Sequence, residues 1–164
     1  MTRARAAAGS LIFLLLAPGV VAGLVPWLLT GWDSTDPPVA VGVAGGLLIA
    51  AGAAVLVHAF ARFVVEGVGT PAPVAPTEHL VVGGLYRHVR NPMYVAVAAT
   101  IIGQAALLGR TALLLYALAF MATVAAFVHF YEEPVLSERF GEEYEAYRRG
   151  VPAWRPRVHP WRPR

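Results

Sequence analysis

Four long apolar stretches constrain the fold of this chain more than any other feature of its sequence. They run over residues 11–32, 39–65, 93–109 and 111–131. A helix needs about 20 apolar residues to cross a bilayer, so three stretches are long enough and the third is marginal. Because the third and fourth stretches almost adjoin, we expect them to form a tight helical hairpin. A mean hydropathy of +0.59 agrees with one small integral membrane protein.

Composition excludes several classes of function. The chain has no cysteine, which rules out thiolate catalysis, cysteine-ligated metals and disulfides, and we expect no metal site. The sequence pI of about 9.7 could suggest a nucleic acid partner. The basic residues, however, lie beside the apolar stretches, where they act as topology signals. We therefore expect the membrane as a partner and no nucleic acid.

The arginines also predict an orientation. Twelve of the thirteen lie before the first stretch, around the connection between the second and third stretches, or after the fourth, and Arg110 is the exception. Positive charge accumulates on the cytoplasmic side of membrane proteins. We therefore expect both termini in the cytoplasm, in a protein of the bacterial cytoplasmic membrane. The first stretch reads as a retained helix rather than a signal peptide, because its apolar run is too long.

These observations predict an all-α polytopic membrane protein with about four transmembrane helices and a cytoplasmic amphipathic C-terminal helix. We expect a single domain over residues 1–164. Within it, residues 1–66 would hold the first two helices, 67–92 a cytoplasmic connection, 93–131 the helical hairpin and 132–164 the C-terminal segment.

The two cytoplasmic segments carry apolar residues of their own. In the connection, prolines and glycines forbid a continuous helix, yet the run "LVVGGLY" (residues 80–86) is too apolar for a solvated linker. We expect it to fold back onto the helices. After the fourth stretch, apolar and aromatic residues recur at helical spacing among charges, as in an amphipathic interfacial helix.

Polar groups gather at one predicted depth of the membrane. Arg90 and Asn91 precede the third stretch, and Glu132 and Glu133 follow the fourth. Since the hairpin makes these helices neighbours, the four side chains should lie close together, and ionisable groups at that depth need partners. One interpretation is a structural Arg–Glu ion pair with nearby tyrosines as interfacial anchors. The other is a polar pocket that opens towards the cytosol and the lipid headgroups.

Two motifs resemble a known family. "LVVGGLYRHVRNPMY" (residues 80–94) and "YEEPVLSERFGEEYEAYRRGVPAWRP" (residues 131–156), separated by a short hairpin, are similar to the signature of the isoprenylcysteine carboxyl methyltransferase and phospholipid methyltransferase superfamily. The resemblance implies an α-helical membrane enzyme. It also implies that S-adenosylmethionine (SAM) binds in a cytoplasm-facing pocket made by the last two membrane helices, and that a lipophilic acceptor is methylated.

The resemblance further implies which residues contact the cofactor. It points to the end of the connection, the start of the third helix, the end of the fourth helix and a Gly-x-Gly upstream. The chemistry of SAM adds Arg90, because the cofactor's carboxylate needs a donor. The resulting cofactor-binding set is Gly67, Gly69, Glu78, His79, Leu80, Val81, Tyr86, Arg90, Asn91, Pro92, Met93, Tyr94, Glu132 and Glu133. The catalytic residues stay unassigned.

More than one methyl acceptor is compatible with the sequence. The Asn91-Pro92 pair and the "YEEP" motif resemble the phospholipid branch, and the late arginine of the prenylcysteine branch is replaced by a stretch that offers only His129. We therefore expect a phospholipid amine or another small membrane-soluble nucleophile, with a prenylcysteine-type carboxyl methyltransferase as the alternative. Two rivals are a non-enzymatic four-helix scaffold and a haem or quinone protein that uses His58, His88 and His129.

Overall fold

The computed structural model describes residues 3–62, 65–66 and 79–162. All regular secondary structure in that part of the chain is helical, which confirms the all-α prediction. The elements in chain order are α1 (Arg3–Gly19), α2 (Val25–Thr30), α3 (Val39–Arg62), a short 3-10 helix (Gly84–Arg87), α4 (Pro92–Leu108), α5 (Thr111–Phe127) and α6 (Glu133–Gly150).

Three of the helices are long and apolar enough to cross a membrane. The first spans Leu11–Thr30, where a π-helical turn over Val20–Leu24 joins α1 to α2. The second is α3, and the third begins with α5. α4 has 17 residues and is the shorter apolar helix that the third stretch predicts. The chain is therefore a polytopic membrane protein.

The junction of α1 and α2 is held by side chains from the hairpin. Pro26 has no backbone N–H, so the carbonyl of Ala22, four residues earlier, lacks its helical donor. Gln104 Nε2 of α4 donates to that oxygen at 2.6 Å. The Tyr116 hydroxyl of α5 donates to the carbonyl of Val21 at 2.8 Å. These bonds connect the first span to both helices of the hairpin.

α3 packs closely and extensively on α4 because glycines remove side chains from their interface. A Cβ at Gly45 would lie 2.5 Å from the carbonyl oxygen of Gly103, and a Cβ at Gly52 would lie 2.8 Å from that of Ala96. Small residues of this kind let the backbones of membrane helices approach each other. The contact fixes α4 in the middle of the bundle and so fixes the position of Asn91 at its start.

A two-residue turn closes the α4–α5 hairpin, as predicted. Gly109 adopts a positive φ of 67°, and α5 begins two residues later. The loop after α2 packs onto this turn: the Thr35 N–H donates to the Leu108 carbonyl, and Arg110 Nε donates to the Asp33 carbonyl, both at 2.9 Å. Arg110 therefore lies at the same end of the bundle as the loop between α2 and α3.

The amphipathic C-terminal helix, α6, follows α5 without an intervening loop. The helix runs on from Thr111 to Gly150 through a π-helical turn over Val128–Glu132. It is kinked at Gly141, where φ is 53° and ψ is −126°, a conformation that only glycine adopts readily. The kink turns the last part of α6, which carries the buried residues Tyr144 and Tyr147, towards the connection.

The end of the connection folds back onto the helices, as predicted. Val81 and Tyr86 are buried in one core with Ala59 of α3 and with Tyr144 and Tyr147 of α6. The Tyr147 hydroxyl donates to the Tyr86 carbonyl at 2.7 Å. Burial raises the pKa of the Tyr86 phenol well above its ordinary value, so the group is protonated at neutral pH. This core forms the base of the site described next.

Candidate active site

A cavity of about 490 Å³ lies where α4 begins and α5 ends. One end is apolar and reaches between α1 and α5, where Phe13, Val21 and Phe120 are among the lining residues. The other end is polar. The charged and polar side chains that line it are Arg90, Asn91, Tyr94, Glu132, Glu133 and Arg139. The geometry combines the two interpretations of these residues, because the polar pocket also contains an Arg–Glu ion pair.

Arg90 and Glu133 form an ion pair that crosses the hairpin. Arg90 Nη1 lies 2.5 Å from Glu133 Oε1, and the side chains are only 12% and 15% exposed. Arg90 Nη1 also donates to the Tyr144 hydroxyl at 3.0 Å, and Nε donates to the Val151 carbonyl at 3.0 Å. With several of its donors engaged by protein groups, this guanidinium ties α4 to α6 and to the C-terminal segment.

Glu132 has a different environment from its neighbour. Its Oε2 accepts a hydrogen bond from the Tyr94 hydroxyl at 3.2 Å, and among the described residues it makes no ion pair with an arginine. Tyr94 lies in the first turn of α4, and its hydroxyl reaches Glu132 at the end of the π-helical turn. The Glu132 carboxylate thus lines the cavity, where it could pair with a bound cation or accept a hydrogen bond from a bound hydroxyl group.

One face of the helix around Glu132 lines the cavity over two turns. Glu132, Val135, Leu136 and Arg139 all belong to the lining, and their spacing of three, four and seven residues places them on one side of a helix. The carboxylate and the guanidinium therefore stand at opposite ends of this face, with two apolar side chains between them.

The segment after α6, residues 151–162, packs along the connection as a strap. The Arg90 N–H donates to the Pro152 carbonyl at 2.9 Å, and the Arg157 N–H donates to the His88 carbonyl at 2.9 Å. The Trp161 N–H donates to the Arg87 carbonyl at 2.9 Å, and Arg87 Nε donates back to the Trp161 carbonyl at 2.6 Å. The strap therefore holds the backbone immediately before Asn91.

The strap also contacts two residues of the cavity. Asn91, which is 8% exposed, bonds the Ala153 carbonyl through both its backbone N–H and its Nδ2, each at 3.3 Å. The Trp154 ring lies 6.4 Å from the Tyr94 ring, centroid to centroid. The orientation of both Asn91 and Tyr94 thus depends on a segment that lies outside the helices.

Most of the sequence-predicted cofactor residues lie together. Ten of them line the cavity: Leu80, Val81, Tyr86, Arg90, Asn91, Pro92, Met93, Tyr94, Glu132 and Glu133. His79 is exposed and is absent from the lining. Gly67, Gly69 and Glu78 lie outside the described residues.

The three histidines considered for a redox cofactor do not converge on the cavity, since none of them belongs to its lining. His88 Nδ1 is bonded to the Arg157 carbonyl at 2.8 Å. His129 is exposed and makes an edge contact with Phe130. Within the described residues, no group of three or more histidine, aspartate or glutamate side chains could hold a metal ion.

Sequence reasoning missed two parts of the site. Arg139, one of the charged residues of the predicted amphipathic helix, was given no role in the site, but it lines the cavity. The strap was recognised only as part of the second motif, and its pairing with the connection was not foreseen. The spacing of Arg139 from Glu132 could have indicated the first, and the tryptophans at 154 and 161 in an otherwise polar tail could have indicated the second.

Comparison with known proteins agrees with this geometry. The chain matches the sequence profile of the phospholipid methyltransferase family over residues 41–143, which include most of α3, the hairpin and the first part of α6. No curated protein and no solved structure matches the chain. The family match covers more than half of the chain, and the protein therefore belongs to the phospholipid methyltransferase family.

Proposed function

We propose that this protein transfers a methyl group from SAM to a lipophilic acceptor that reaches the cavity from the membrane. The observation that carries the proposal is the cavity itself, whose polar end holds the Glu132–Tyr94 pair and whose apolar end extends between α1 and α5. Family membership supports methyl transfer. Because the lining has a polar end and an apolar end, it supports the binding of a polar methyl donor and an apolar methyl acceptor in one site.

The residues present fit SAM. Its sulfonium, its ammonium and its ribose hydroxyls call for a carboxylate, its own carboxylate calls for a hydrogen-bond donor, and its adenine calls for apolar or aromatic walls. Glu132 is the carboxylate of the lining that pairs with no arginine in the described part of the chain, and Tyr86, Met93 and Leu136 supply walls. A cavity of about 490 Å³ falls within the usual range of about 300 to 1,000 Å³ for ligand sites.

The two glutamates have different tasks in this proposal. Glu132 would bind the polar end of SAM, with Tyr94 orienting the carboxylate through its hydroxyl. Glu133 would hold Arg90, and through it the start of α4, so it acts as a positioning residue. Asn91, fixed by the strap, would contribute to the same polar end.

SAM supplies an electrophilic methyl group on a positively charged sulfur. No side-chain nucleophile is needed from the protein, so positioning and the exclusion of water account for most of its contribution. The lining suits that role, because apolar and aromatic residues dominate it. An amine acceptor has to lose a proton, and Glu132 is the carboxylate of the cavity that could receive it.

The acceptor we favour is a phospholipid amine or another small membrane-soluble nucleophile. The alternative, a prenylcysteine carboxylate, would need a cation to bind it at the end of α5. Among the described residues there, His129 is exposed and outside the cavity. A purely structural scaffold would leave the Glu132–Tyr94 pair without a task.

Transfer of a labelled methyl group tests the proposal. Membranes that contain the protein are incubated with SAM carrying a radiolabelled methyl group, and the lipids are extracted into organic solvent and identified. We expect label in a lipid product, and less with the Glu132→Gln variant. Label only in water-soluble products, or none above membranes lacking the protein, would contradict the proposal.

A further inference from the structure

Arg139 is the charged residue of the cavity that the proposed function leaves without a task. Its side chain is exposed at the polar end of the lining, and its guanidinium carbon lies 5.6 Å from the centroid of the Phe140 ring. No carboxylate pairs with it in that part of the chain. Arg90, the other arginine of the lining, is already paired with Glu133.

The charges of the cavity are therefore arranged along one helix face. The Arg90–Glu133 pair is neutral as a unit, which leaves a carboxylate at Glu132 and a guanidinium at Arg139. Seven residues of helix separate them by about 10 Å along the axis. Val135 and Leu136 fill the face between them. A ligand that occupies this face fits best with positive charge near Glu132 and negative charge near Arg139.

We propose that Arg139 binds the phosphate of the acceptor's headgroup and so selects phosphate-bearing amphiphiles. A guanidinium forms paired hydrogen bonds with phosphate oxygens, and it binds them more specifically than an ammonium does. Arg139 stands at the exposed end of the helix face, whereas the apolar end of the cavity lies between α1 and α5. An amphiphile could therefore place its chain in the apolar part and its phosphate at Arg139.

This inference rests on the proposed function, because it assigns the donor to Glu132 and the acceptor's anion to Arg139. The carboxylate of SAM is the other anion that Arg139 could bind. The acceptor's phosphate and the carboxylate of SAM predict different effects of losing Arg139. If Arg139 binds the acceptor, its loss spares the affinity for SAM; if it binds the donor, its loss reduces that affinity.

Binding to two matched probes tests the assignment. The protein is purified in a neutral maltoside detergent, and dodecylphosphoethanolamine, dodecylamine and SAM are titrated separately by calorimetry. The variants are Arg139→Gln, Arg139→Lys and, as the matched control, Arg149→Gln. Arg149 is an exposed arginine of the same helix that does not line the cavity. Thermal melting checks that each variant is folded.

We expect Arg139→Gln to weaken binding of dodecylphosphoethanolamine about 10- to 100-fold, as for the loss of one charged hydrogen-bonding partner. Arg139→Lys should fall between the wild type and Arg139→Gln. Affinities for dodecylamine and SAM should stay unchanged, and Arg149→Gln should behave as the wild type. Equal weakening of both amphiphiles, weaker binding of SAM, or unchanged binding of dodecylphosphoethanolamine would each overturn the inference. Failure of the wild type to bind SAM would instead overturn the proposed function.

Discussion

Glu132 and Glu133 are adjacent in the sequence, but their carboxylates have different partners. Glu133 is paired with Arg90 at 2.5 Å and is largely buried, whereas Glu132 accepts one hydrogen bond from the Tyr94 hydroxyl. A carboxylate paired so closely with a guanidinium stabilises the fold, because breaking the pair leaves a buried charge without its partner. The two residues should therefore respond differently to the same substitution.

Glu133→Gln should destabilise the protein by about 1 to 3 kcal/mol, because Arg90 then loses its counter-charge. A loss of that size lowers the melting temperature by roughly 2 to 12 °C for a chain of this length. Thermal unfolding in detergent measures the shift. The control is Glu143→Gln, because Glu143 is exposed on the same helix. Equal melting temperatures for the two variants would show that the Arg90–Glu133 pair is not structural.

At the scale of elements, the kink in α6 has a single local cause. Gly141 has a φ of 53° and a ψ of −126°, and a Cβ at this position would meet nothing within 4 Å. The requirement for glycine is thus conformational and does not come from crowding. Without the kink, the last part of the helix could not return its tyrosines to the core with Tyr86.

Gly141→Ala should therefore cost about 1 to 3 kcal/mol through backbone strain. Gly46→Ala provides the control, because Gly46 is helical in α3 and also has open space around its Cα. Alanine should be neutral or slightly stabilising there. Melting temperatures in detergent compare the two variants. Identical effects of the two substitutions would refute the strain explanation.

The strap is the second element that supports the site from outside the helices. Trp161 packs against Tyr147 with ring centroids 5.5 Å apart, and its backbone pairs with that of Arg87. Trp161→Ala should destabilise the strap by about 2 kcal/mol through lost aromatic packing and burial. The control, Val158→Ala, alters a side chain that is 85% exposed. Faster proteolysis of the tail in Trp161→Ala than in Val158→Ala is the expected result, and equal rates would contradict it.

The sequence predicted the elements better than it predicted how they are joined. Apolar length located the spans, and the short link at Gly109 and Arg110 predicted the hairpin, because these depend on local composition. The continuity of α5 with α6 was missed, since the change from an apolar stretch to an amphipathic one suggested two helices where a π-helical turn carries the helix onward. The strap was missed because backbone pairing between distant segments leaves no periodic pattern in either one.

The candidate site was predictable where it could be matched to a motif. The two motifs indicated Asn91, Tyr94 and the glutamate pair, and the hairpin brought them to one depth. The sequence could not indicate which glutamate pairs with Arg90 and which is bonded by Tyr94, because that depends on the rotation of the helix around the π-helical turn. The resemblance also gave no role to Arg139, whose position follows from the same rotation.

In the molecule as a whole, the cavity has to face the cytoplasm, where we expect SAM to be available. Arg62 at the end of α3 and the strap lie at the cavity's end of the bundle, and the loop around Ser34 lies at the other. In intact cells, cysteine at Ser34 should react with an impermeant thiol reagent and cysteine at Val158 should not. The chain has no native cysteine to interfere. The reverse labelling pattern would mean that the cavity faces away from the cytoplasm, and it would contradict the predicted orientation.

The central claim is that Glu132 binds SAM in this cavity, and calorimetric titration of the purified protein with SAM tests it most directly. We expect the wild type to bind and the Glu132→Gln variant to lose at least about 10-fold in affinity, since a charged hydrogen-bonding partner is removed. Its melting temperature should change little, and Glu142→Gln, an exposed control, should bind like the wild type. Unchanged affinity for SAM in a folded Glu132→Gln protein would contradict the account.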